Sequence, residues 1–312
     1  MKVVITGGAG FIGANLCRRL ATTPGVSEVV ALDDLSSGDA ANLDGTGARL
    51  VIGDLGAPDV LDEVLPGAHA VVHLGARPSV PRSIADPRAS HLANATGTLE
   101  VLEGVRRHDV PQVVVASSSS VYGDNPQLPK HEDLLTSPVS PYAVSKLAAE
   151  GYASAYARCF GIGALTLRFF NVFGPLQPAG HAYAAVVPAF VAAALAGEAV
   201  TVHGDGRQTR DFTYVGTVCD VLATAVVDQV VHERPVNLAF GSRSSLLDVL
   251  DLLEELLGHP VERRHVDPRP GDVRDSQADQ RRLRGLFGSV EPVPLREGLH
   301  RTVEWFRSGT LD

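Results

Sequence analysis

The chain has 312 residues, of which 45% are hydrophobic and 20% are charged. Its formal net charge is −9 at pH 7, and this excess of carboxylates disfavours a nucleic acid partner. The N-terminal sequence does not read as a secretion signal, and no run of about 18 apolar residues predicts a membrane span. We therefore expect a cytoplasmic protein with one large or two modest domains.

Short apolar runs alternate with helical patterns through the first half of the chain. The predicted strands are 2–6, 28–32, 48–52, 70–74, 112–117 and 164–169, and the predicted helices are 11–20, 94–107 and 142–160. Strands that are apolar almost throughout, alternating with helices, are typical of a parallel sheet that is covered on both faces. The pattern predicts an α/β fold with a doubly wound parallel sheet of the Rossmann type.

Prolines and glycines interrupt this pattern after Asn171. A helix at 215–227 and a strand at 236–239 are predicted, followed by an apolar helix at 246–257 with Ser244 or Ser245 as its N-cap. We predict that residues 1–171, with 213–240 returning to them, form the sheet domain. Residues 172–212 and 241–312 would form a smaller, discontinuous substrate-binding lobe over the C-terminal edge of the sheet, where such folds bind ligands.

A glycine loop joins the first predicted strand to the first predicted helix. Its glycines, Gly7, Gly10 and Gly13, follow one another at intervals of three residues. This spacing would permit a tight turn, a close approach of a pyrophosphate to the backbone, and close packing of the helix on the strand. Asp33 follows about 20 residues later, at the end of the second strand. Together these features predict dinucleotide binding.

The residues around Asp33 favour NAD over NADP. A carboxylate at this place accepts hydrogen bonds from the ribose diol and repels a 2′-phosphate, and residues 34–38 include no arginine that could hold such a phosphate. Asp54 and Leu55, after the third strand, are placed to cover the adenine. Capping of a helix is an equal alternative for the Asp54 side chain.

Tyr142 and Lys146 lie four residues apart, behind a predicted N-cap, Ser140, and a proline. The spacing places both side chains on one helix face, where the ammonium would lower the pKa of the phenol and make it a usable base. The run Ser117–Ser120 would present hydroxyl groups at the ligand-binding edge of the sheet. The alternative is a core tyrosine beside a solvated lysine.

The three cysteines are interpreted as reduced core thiols. Cys17, Cys159 and Cys219 form no closely spaced pair. Neither a disulfide nor a metal site is therefore predicted.

The chain resembles the extended short-chain dehydrogenase/reductases, and within them the nucleotide-sugar 4-epimerases of the UDP-galactose type. The resemblance runs nearly from end to end. It is carried, in this order, by ITGGAGFIG from Ile5, HLGARPSVPRSIADP from His73, NATGTL from Asn94, SSSSVYGD from Ser117, SPYAVSK from Ser140, RFFNVFGP from Arg168, HGDGRQTRDFTYV from His203 and RPGDVRDS from Arg269.

The resemblance implies a catalytic set. Tyr142 would take the proton from the 4-hydroxyl of the sugar, Lys146 would tune Tyr142 and hold the nicotinamide ribose, and Ser118 would share the hydrogen bond to the 4-oxygen. NAD+ would take the hydride from C4 and return it to the other face of a 4-keto sugar. The implied activity is 4-epimerisation of UDP-glucose and UDP-galactose, and possible further substrates are the N-acetylhexosamines.

The resemblance also implies a cofactor set and a substrate set. The cofactor-binding residues would be Gly7, Gly10, Phe11, Ile12, Gly13, Asp33, Asp34, Ser37, Gly38, Asp54, Leu55, Leu74, Ala76, Asn94, Tyr142 and Lys146. The substrate-binding residues would be Ser118, Ser119, Asn171, Val187, Arg210, Arg269, Asp272 and Ser276. Arg210 and Arg269 would pair with the diphosphate, for which two guanidinium groups are well suited, and Asp272 would hold the nucleotide ribose.

Departures from the family pattern narrow the range of reactions and substrates that the resemblance implies. Related 4,6-dehydratases carry Asp-Glu at the positions of Ser119 and Ser120, and related uronate decarboxylases carry Glu at the position of Ser120. Leu176 replaces an arginine that uronate epimerases often have. Ser276 replaces a bulky tyrosine of strictly hexose-specific epimerases and leaves room for an N-acetyl group. Pro78 replaces a lysine that lies near the cofactor phosphates in some members.

Several alternatives stay open at this point. They are a dehydratase or decarboxylase of the same family, a UDP-glucuronate 4-epimerase, and a non-catalytic NAD-sensing protein, although such proteins tend to lose the Tyr/Lys pair. Uridine and thymidine nucleotides are both open as well. Family members are commonly dimers, joined through the helices that begin near His91 and Tyr142, so we expect a homodimer. Small residues such as Ala148, Ala149, Ala153 and Ala157 would permit close packing there, or would pack on the sheet.

Overall fold

The structure, a computed structural model, describes residues 1–180, 184–268 and 274–311. Two of the predicted substrate-binding residues, Arg269 and Asp272, lie outside the described residues.

Within the described part of the chain, seven parallel strands form the central sheet. They are β1 (Lys2–Thr6), β2 (Glu28–Asp33), β3 (Arg49–Ile52), β4 (Ala70–His73), β5 (Gln112–Ser118), β6 (Gly163–Phe169) and β11 (Val236–Leu238). Their spatial order is β3-β2-β1-β4-β5-β6-β11. The strand order reverses between β1 and β4, which is where open α/β sheets bind ligands at the carboxyl ends of the strands. The predicted doubly wound α/β fold is confirmed.

The register brings polar strand ends to one edge of the sheet. Thr6, the last residue of β1, pairs with Leu32 on one side and with His73 on the other. Ser118, the last residue of β5, pairs with Phe169. Because all these pairs are parallel, the loops after β1, β2, β4 and β5 leave the sheet on the same side.

Helices cover both faces of the sheet. The α-helices of the described residues are α1 (Phe11–Ala21), α2 (Pro58–Val64), α3 (Val80–Ala85), α4 (Pro87–His91), α5 (Gly97–Arg107), α6 (Pro141–Phe160), α7 (Val186–Leu195), α8 (Val215–Val227), α9 (Leu246–Leu257), α10 (Arg281–Leu286) and α11 (Leu295–Ser308). Val3 and Ile5 pack in one core cluster with residues of α1 and α8, whereas Val4 packs in a second cluster with residues of α2, α5 and α6. This alternation follows from the two-residue period of a strand.

The predicted helix 94–107 begins earlier than expected and changes type. Leu92–Thr96 forms a π-helical turn between α4 and α5. A π turn inserts one extra residue per turn and is often found at functional sites. The apolar periodicity at Leu99, Leu102 and Val105 does not reveal this insertion, because it reports only the α-helical part of the segment.

Three two-stranded ladders accompany the sheet within the described ranges. They are β7 (Asn171–Phe173) with β10 (Phe212–Tyr214), β8 (Val200–His203) with β13 (Arg263–Val266), and β9 (Thr209–Arg210) with β12 (Ser244–Ser245). Ser245 caps α9: its hydroxyl accepts the N–H of Asp248, and Asp248 accepts the N–H of Ser245 in return. The predicted N-cap is confirmed, whereas the exact division into a sheet domain and a lobe stays a prediction.

The cysteines correct one expectation. All three are free, and Cys17 and Cys219 are buried as predicted. Cys159 is exposed, so the core assignment was wrong for this residue. The physical reason is its place at the end of α6, where its neighbours Arg158 and Phe160 are exposed too. Among the described helices, none combines the length and the apolar character that crossing a bilayer requires.

Candidate active site

The loop between β1 and α1 has no room for side chains. Gly7 has a φ of +68°, and a Cβ on Gly13 would lie 2.1 Å from the carbonyl oxygen of Gly7. The N-cap of α1 is Gly10, which offers no side-chain cap, and the first helical hydrogen bond runs from Ala14 N to Gly10 O at 2.9 Å. The N–H groups of residues 11–13 therefore lie outside the helical ladder and can bind an anion such as a phosphate.

Asp33 lies at the end of β2, beside this loop. Its Oδ2 accepts the N–H of Ala9 and its Oδ1 accepts the N–H of Leu35, both at 2.9 Å. A Cβ on Gly38 would lie 2.9 Å from the carbonyl carbon of Ala9, so the segment after β2 rests on the glycine loop. The carboxylate braces both loops and keeps further lone pairs for a ribose diol.

The other predicted residues after β2 and β3 are more exposed. Asp34 is exposed, and its Oδ1 accepts the N–H and the hydroxyl of Ser36. Ser37 is exposed as well. Asp54 accepts the N–H of Gly56 at 2.7 Å, which is a turn and not a cap of α2, because the N-cap of α2 is Ala57. Leu55 is half-buried and faces the loop after β4.

The loop after β4 forms the opposite wall of the crevice. A Cβ on Gly7 would lie 2.9 Å from the Cα of Gly75, and a Cβ on Gly75 would lie 2.8 Å from Cδ1 of Leu55. The N–H of Gly75 donates to Thr6 Oγ1 at 3.1 Å, with half-buried Leu74 and Ala76 on either side of it. The wall is thus built of small and apolar groups, which would let a dinucleotide approach the backbone closely.

A buried histidine ties β1 to β4 at this point. His73 Nδ1 lies 2.7 Å from Thr6 Oγ1, and its Nε2 lies 3.0 Å from Thr98 Oγ1. Burial, with a smaller contribution from the Lys146 charge, lowers the pKa of His73 to about 3. The ring is therefore neutral at physiological pH and acts as a structural link.

Asn94 lies in the π-helical turn and uses its amide within the protein. Its Oδ1 accepts the N–H of Arg77 at 2.7 Å, and its Nδ2 donates to Ser145 Oγ at 2.9 Å. The side chain is fully buried. Asn94 thus ties the loop after β4 to α6, and its part in cofactor binding stays a prediction.

The first turn of α6 presents Tyr142 next to the end of β5. Ser140 caps the helix by accepting the N–H of Ala143 at 3.2 Å, as predicted. The phenol of Tyr142 lies beside the hydroxyl of Ser118. Burial raises the pKa of Tyr142 above its usual value of 10, and the interaction with Ser118 opposes this rise.

Lys146 lies one turn further along α6 and is buried. Its Nζ donates to the carbonyl oxygen of Ala116 at 2.8 Å. Burial lowers the pKa of Lys146 to about 8, and the charge of Glu150 opposes this shift. We expected this ammonium to lower the pKa of Tyr142. The net shift of Tyr142 has the opposite sign, because burial of the phenol outweighs the interaction with Ser118, and Lys146 is not among the groups that shift it.

Ser119 and Ser120 follow in a 3-10 turn, Ser119–Tyr122. The N–H of Ser120 donates to Ser118 Oγ at 3.2 Å. The hydroxyl of Ser120 is buried and has no hydrogen-bond partner among the described residues. Two hydroxyl groups with pKa values far above neutrality cannot exchange protons as a carboxylic acid and a carboxylate would.

The predicted substrate residues Asn171, Arg210 and Ser276 are joined by backbone contacts. Asn171 donates both from its N–H and from its side-chain amide to the carbonyl oxygen of Asp211, at 3.2 and 3.5 Å. The N–H of Ser276 donates to the carbonyl oxygen of Thr209, the residue before Arg210, at 3.1 Å. The structure therefore places Ser276 beside the strand that carries Arg210.

Val187 is the predicted substrate residue whose side chain points elsewhere. It is 1% exposed and belongs to the main core cluster. It lies in the first turn of α7, whose N-cap, Ala185, makes no side-chain hydrogen bond. A contact between Val187 and a ligand would have to use the free backbone N–H of this turn.

Residues 3–239 match the sequence profile of the NAD-dependent epimerase/dehydratase family. The chain belongs to this family. Its cofactor is NAD, and the glycine loop, the uncapped start of α1 and Asp33 fit such a dinucleotide. The family description includes both epimerases and dehydratases, so membership alone does not decide the reaction.

The similarity to other proteins of the family extends over nearly the full length of the chain. It is 37% identical to a UDP-glucose 4-epimerase of Mycolicibacterium smegmatis, over 99% of both chains. A UDP-N-acetylglucosamine 4-epimerase from Methanobrevibacter ruminantium, solved with UDP-N-acetylmuramic acid, matches with a TM-score of 0.93 at 33% identity, over 99% of both chains. A UDP-glucose 4-epimerase of Thermus thermophilus, solved with NAD, matches with a TM-score of 0.89 at 34% identity and covers 99% of this chain and 100% of its own.

Sequence reasoning missed a buried ion pair behind the family's tyrosine and lysine. Arg168 of β6 donates to both carboxylate oxygens of Glu150 on α6, each at 2.8 Å. Their side chains are only 4% and 5% exposed. The signal was present in the sequence: an arginine interrupts the apolar run of a central strand, and a buried guanidinium needs a buried carboxylate as partner.

Proposed function

We propose that the protein is an NAD-dependent 4-epimerase of nucleotide sugars, which interconverts UDP-glucose and UDP-galactose. The observation that carries the proposal is the meeting of Ser118, at the end of β5, with Tyr142, one helical turn from the buried Lys146 ammonium. This set lies at the carboxyl end of β5, beside the crevice that fits the dinucleotide. It combines a base, a donor to the sugar oxygen and a fixed positive charge.

The chemistry follows from the places of these groups. Tyr142 would accept the proton of the 4-hydroxyl of the sugar, and Ser118 would hold the same oxygen in place. Lys146 would stabilise the phenolate form of Tyr142 and hold a hydroxyl group of the ribose. NAD, when bound, would supply a reversible acceptor and donor of the hydride at C4 of the sugar. Since oxidation and reduction occur at one carbon, no second substrate is consumed.

Ser119 and Ser120 distinguish this reaction from elimination or decarboxylation. Loss of water from C5 and C6 needs an acid and a base beside the sugar, and neither serine can supply one near neutral pH. A UDP-glucuronate epimerase is less well supported, since Leu176 offers no charge to a uronate carboxylate. Epimerisation at C4 needs only the proton-transfer and hydride-transfer groups that the described residues would provide or hold.

N-acetylhexosamine nucleotides are a second substrate class within the same reaction. Ser276 is small, half-buried and adjacent to the strand of Arg210. A side chain of this volume would admit an N-acetyl group at C2 of the sugar. One of the similar structures is described as a UDP-N-acetylglucosamine 4-epimerase, which supports the inclusion of this class.

Substrate recognition would rest on the lobe. Arg210 and Arg269 would bind the diphosphate, Asn171 would assist them, and Asp272 would bind the nucleotide ribose. Two guanidinium groups explain how a chain with a net charge of −9 could bind a doubly charged substrate, because local pairing outweighs a distant repulsion.

We also propose a homodimer formed by the outer face of α6 and the π-helical turn. Large apolar side chains are exposed there: Leu92 (51%), Val144 (53%), Tyr152 (39%) and Phe160 (51%). Ala149 and Ala153 do not belong to this face, because both are buried against the sheet. Apolar residues exposed along one helix are typical of an interface between subunits.

A substrate panel tests the proposed reaction. The protein is incubated with NAD and, separately, with UDP-glucose, UDP-galactose and their N-acetyl counterparts, and the products are separated by anion-exchange chromatography. We expect each active pair to reach the same mixture from either side. Loss of water or of CO2, the latter with UDP-glucuronate, would favour the dehydratase or the decarboxylase. Binding of NAD without any turnover would favour an NAD-sensing protein.

A further inference from the structure

Three consecutive residues of β5 are each contacted by a different side chain of α6. Lys146 donates to the carbonyl oxygen of Ala116, and the phenol of Tyr142 lies beside the hydroxyl of Ser118. Between them, the hydroxyl of Ser117 donates to Oε1 of Glu150 at 2.5 Å. The strand and the helix are therefore held together at every residue of the segment that presents the proposed catalytic groups.

Glu150 is the only member of this set that also contacts β6. Arg168, which pairs with Ser117 in the register of β5 and β6, donates from Nε and Nη2 to the two oxygens of Glu150. Burial disfavours the charged form of Arg168, but the hydrogen bonds and the charge of Glu150 outweigh this effect and raise its pKa. The Glu150 carboxylate thus lies at the junction of α6, β5 and β6.

The Glu150 carboxylate also affects the protonation of Lys146. Among the described residues, the titratable groups that interact with Lys146 include Glu150 from α6 and the neutral His73 from β4, with Arg168 from β6 behind Glu150. Burial favours the uncharged amine, and Glu150 is the group that opposes it. Without the carboxylate, Lys146 would lose its proton at a lower pH.

We propose that Glu150, held by Ser117 and Arg168, is a positioning residue that fixes the place of the Lys146 ammonium and keeps it charged during the reaction. The proposal rests on the epimerase function proposed above. It assigns to Glu150 no contact with substrate or cofactor. The carboxylate acts through Lys146, and Lys146 acts on the phenol of Tyr142.

A titration without substrate or cofactor tests the proposal independently of the reaction. The chain has three lysines, Lys2, Lys130 and Lys146, so protein with ¹³C-labelled lysine gives three side-chain signals. The Lys146 signal is assigned by its absence in Lys146→Arg. In Glu150→Gln we expect it to titrate lower than in the wild type, by about one pH unit, the size of one charge–charge contact. Unchanged titration would overturn the proposal.

The pH profile of turnover gives the second measurement. In Glu150→Gln we expect kcat at pH 8 to fall by about fivefold, with the alkaline limb shifted in the same direction as the Lys146 signal, while KM for the UDP-sugar changes by less than about twofold. Glu254→Gln is the matched control. Glu254 also pairs with an arginine of a neighbouring strand, Arg263 at 2.9 Å, but it lies on α9. Its kcat and its pH profile should stay those of the wild type.

A charge-free variant separates positioning from stability. Glu150→Gln leaves Arg168 buried without an anion and can fail to fold. The triple change Ser117→Ala, Glu150→Met and Arg168→Met replaces the whole cluster by apolar groups of similar volume, an exchange that is often neutral or stabilising. We expect this variant to fold and to show both the lowered Lys146 titration and the reduced kcat.

The outcomes are distinct. A folded triple variant with the wild-type titration and kcat overturns the proposal. Failure of the triple variant to fold assigns the cluster to stability and overturns it as well. If the wild type turns over no nucleotide sugar, the proposed function fails, whereas the Lys146 titration still decides the role of Glu150.

Discussion

The hydroxyl of Ser118 lies beside the phenol of Tyr142, although the two residues lie on different elements, the end of β5 and the first turn of α6. They meet because the strand ends at the C-terminal edge of the sheet and Ser140 starts the helix at the same edge. A sugar hydroxyl that reaches this place would meet an acceptor and a donor together. The predictions below depend on this arrangement.

Replacement of Tyr142 by phenylalanine should abolish turnover. We expect kcat to fall by more than about a hundredfold, the scale of general base catalysis, because no other group at this place can take the proton. NAD affinity, measured by fluorescence titration, should change little. Tyr152→Phe is the control: Tyr152 lies on the same helix but is 39% exposed, and its variant should turn over normally. Near-normal rates of Tyr142→Phe would rule out the proposed base.

Gly13→Ala should prevent the binding of NAD. The new Cβ would lie 2.1 Å from the carbonyl oxygen of Gly7 and 2.8 Å from the Cα of Gly8, so the loop must move away from α1. Calorimetric titration should show no binding at concentrations that saturate the wild type. In Gly285→Ala, by contrast, the Cβ meets nothing within 4 Å. This control should bind NAD normally and gain about 0.5–1 kcal/mol in free energy of unfolding.

Asp33→Ser should change the preference between NAD and NADP. The carboxylate would repel a 2′-phosphate and accept hydrogen bonds from the ribose diol. Its removal should therefore weaken the binding of NAD by about tenfold or more and strengthen the binding of NADP. Dissociation constants for both cofactors measure the change. Asp44→Ser, an exposed neighbour, should alter neither constant. An unchanged ratio of the two constants in Asp33→Ser would contradict the assignment.

Turnover should decline as the pH rises through about 8. Lys146 has its pKa lowered to about 8 by burial, so above this value the phenolate of Tyr142 loses its stabilising charge. The free energy of unfolding should rise over the same pH range. An unfolded lysine keeps its proton to a pH of about 10.4, so between the two values the unfolded chain binds more protons and the contribution of Lys146 to the free energy of unfolding rises. In Lys146→Met, urea unfolding as a function of pH should lack this rise.

Val144→Glu should give a monomer. Val144 is 53% exposed on the proposed dimer face, and opposed carboxylates in an apolar interface repel each other. Light scattering coupled to gel filtration should give the mass of two chains for the wild type and that of one chain, 32.8 kDa, for the variant. A monomeric wild type would contradict the proposed dimer.

Much of the sheet and its cofactor crevice could be predicted from local patterns. The apolar runs of β1, β2, β5 and β6 and the spacing of Gly7, Gly10 and Gly13 are properties of short segments, so they are visible in the sequence. The caps Ser140 and Ser245 were visible for the same reason. Helices such as α2, α3 and α7, and the π-helical turn, were missed because packing and not periodicity decides them.

The sign of the Tyr142 shift and the ion pair of Glu150 and Arg168 could not be predicted in this way. Both depend on burial and on contacts between β5, β6 and α6, which only the folded chain brings together. Spacing placed Tyr142 and Lys146 on one face, but it could not show that the Lys146 ammonium is directed to Ala116 and is influenced by the charge of Glu150.

Deuterium at C4 of UDP-glucose tests whether the hydride leaves and returns at the same carbon. The protein is incubated with UDP-[4-²H]glucose and NAD in ordinary water, and the product is analysed by mass spectrometry and by NMR. We expect UDP-galactose that keeps its deuterium at C4, because the hydride leaves and returns at the same carbon. UDP-galactose with hydrogen from water at C4, or no epimer at all, would contradict it.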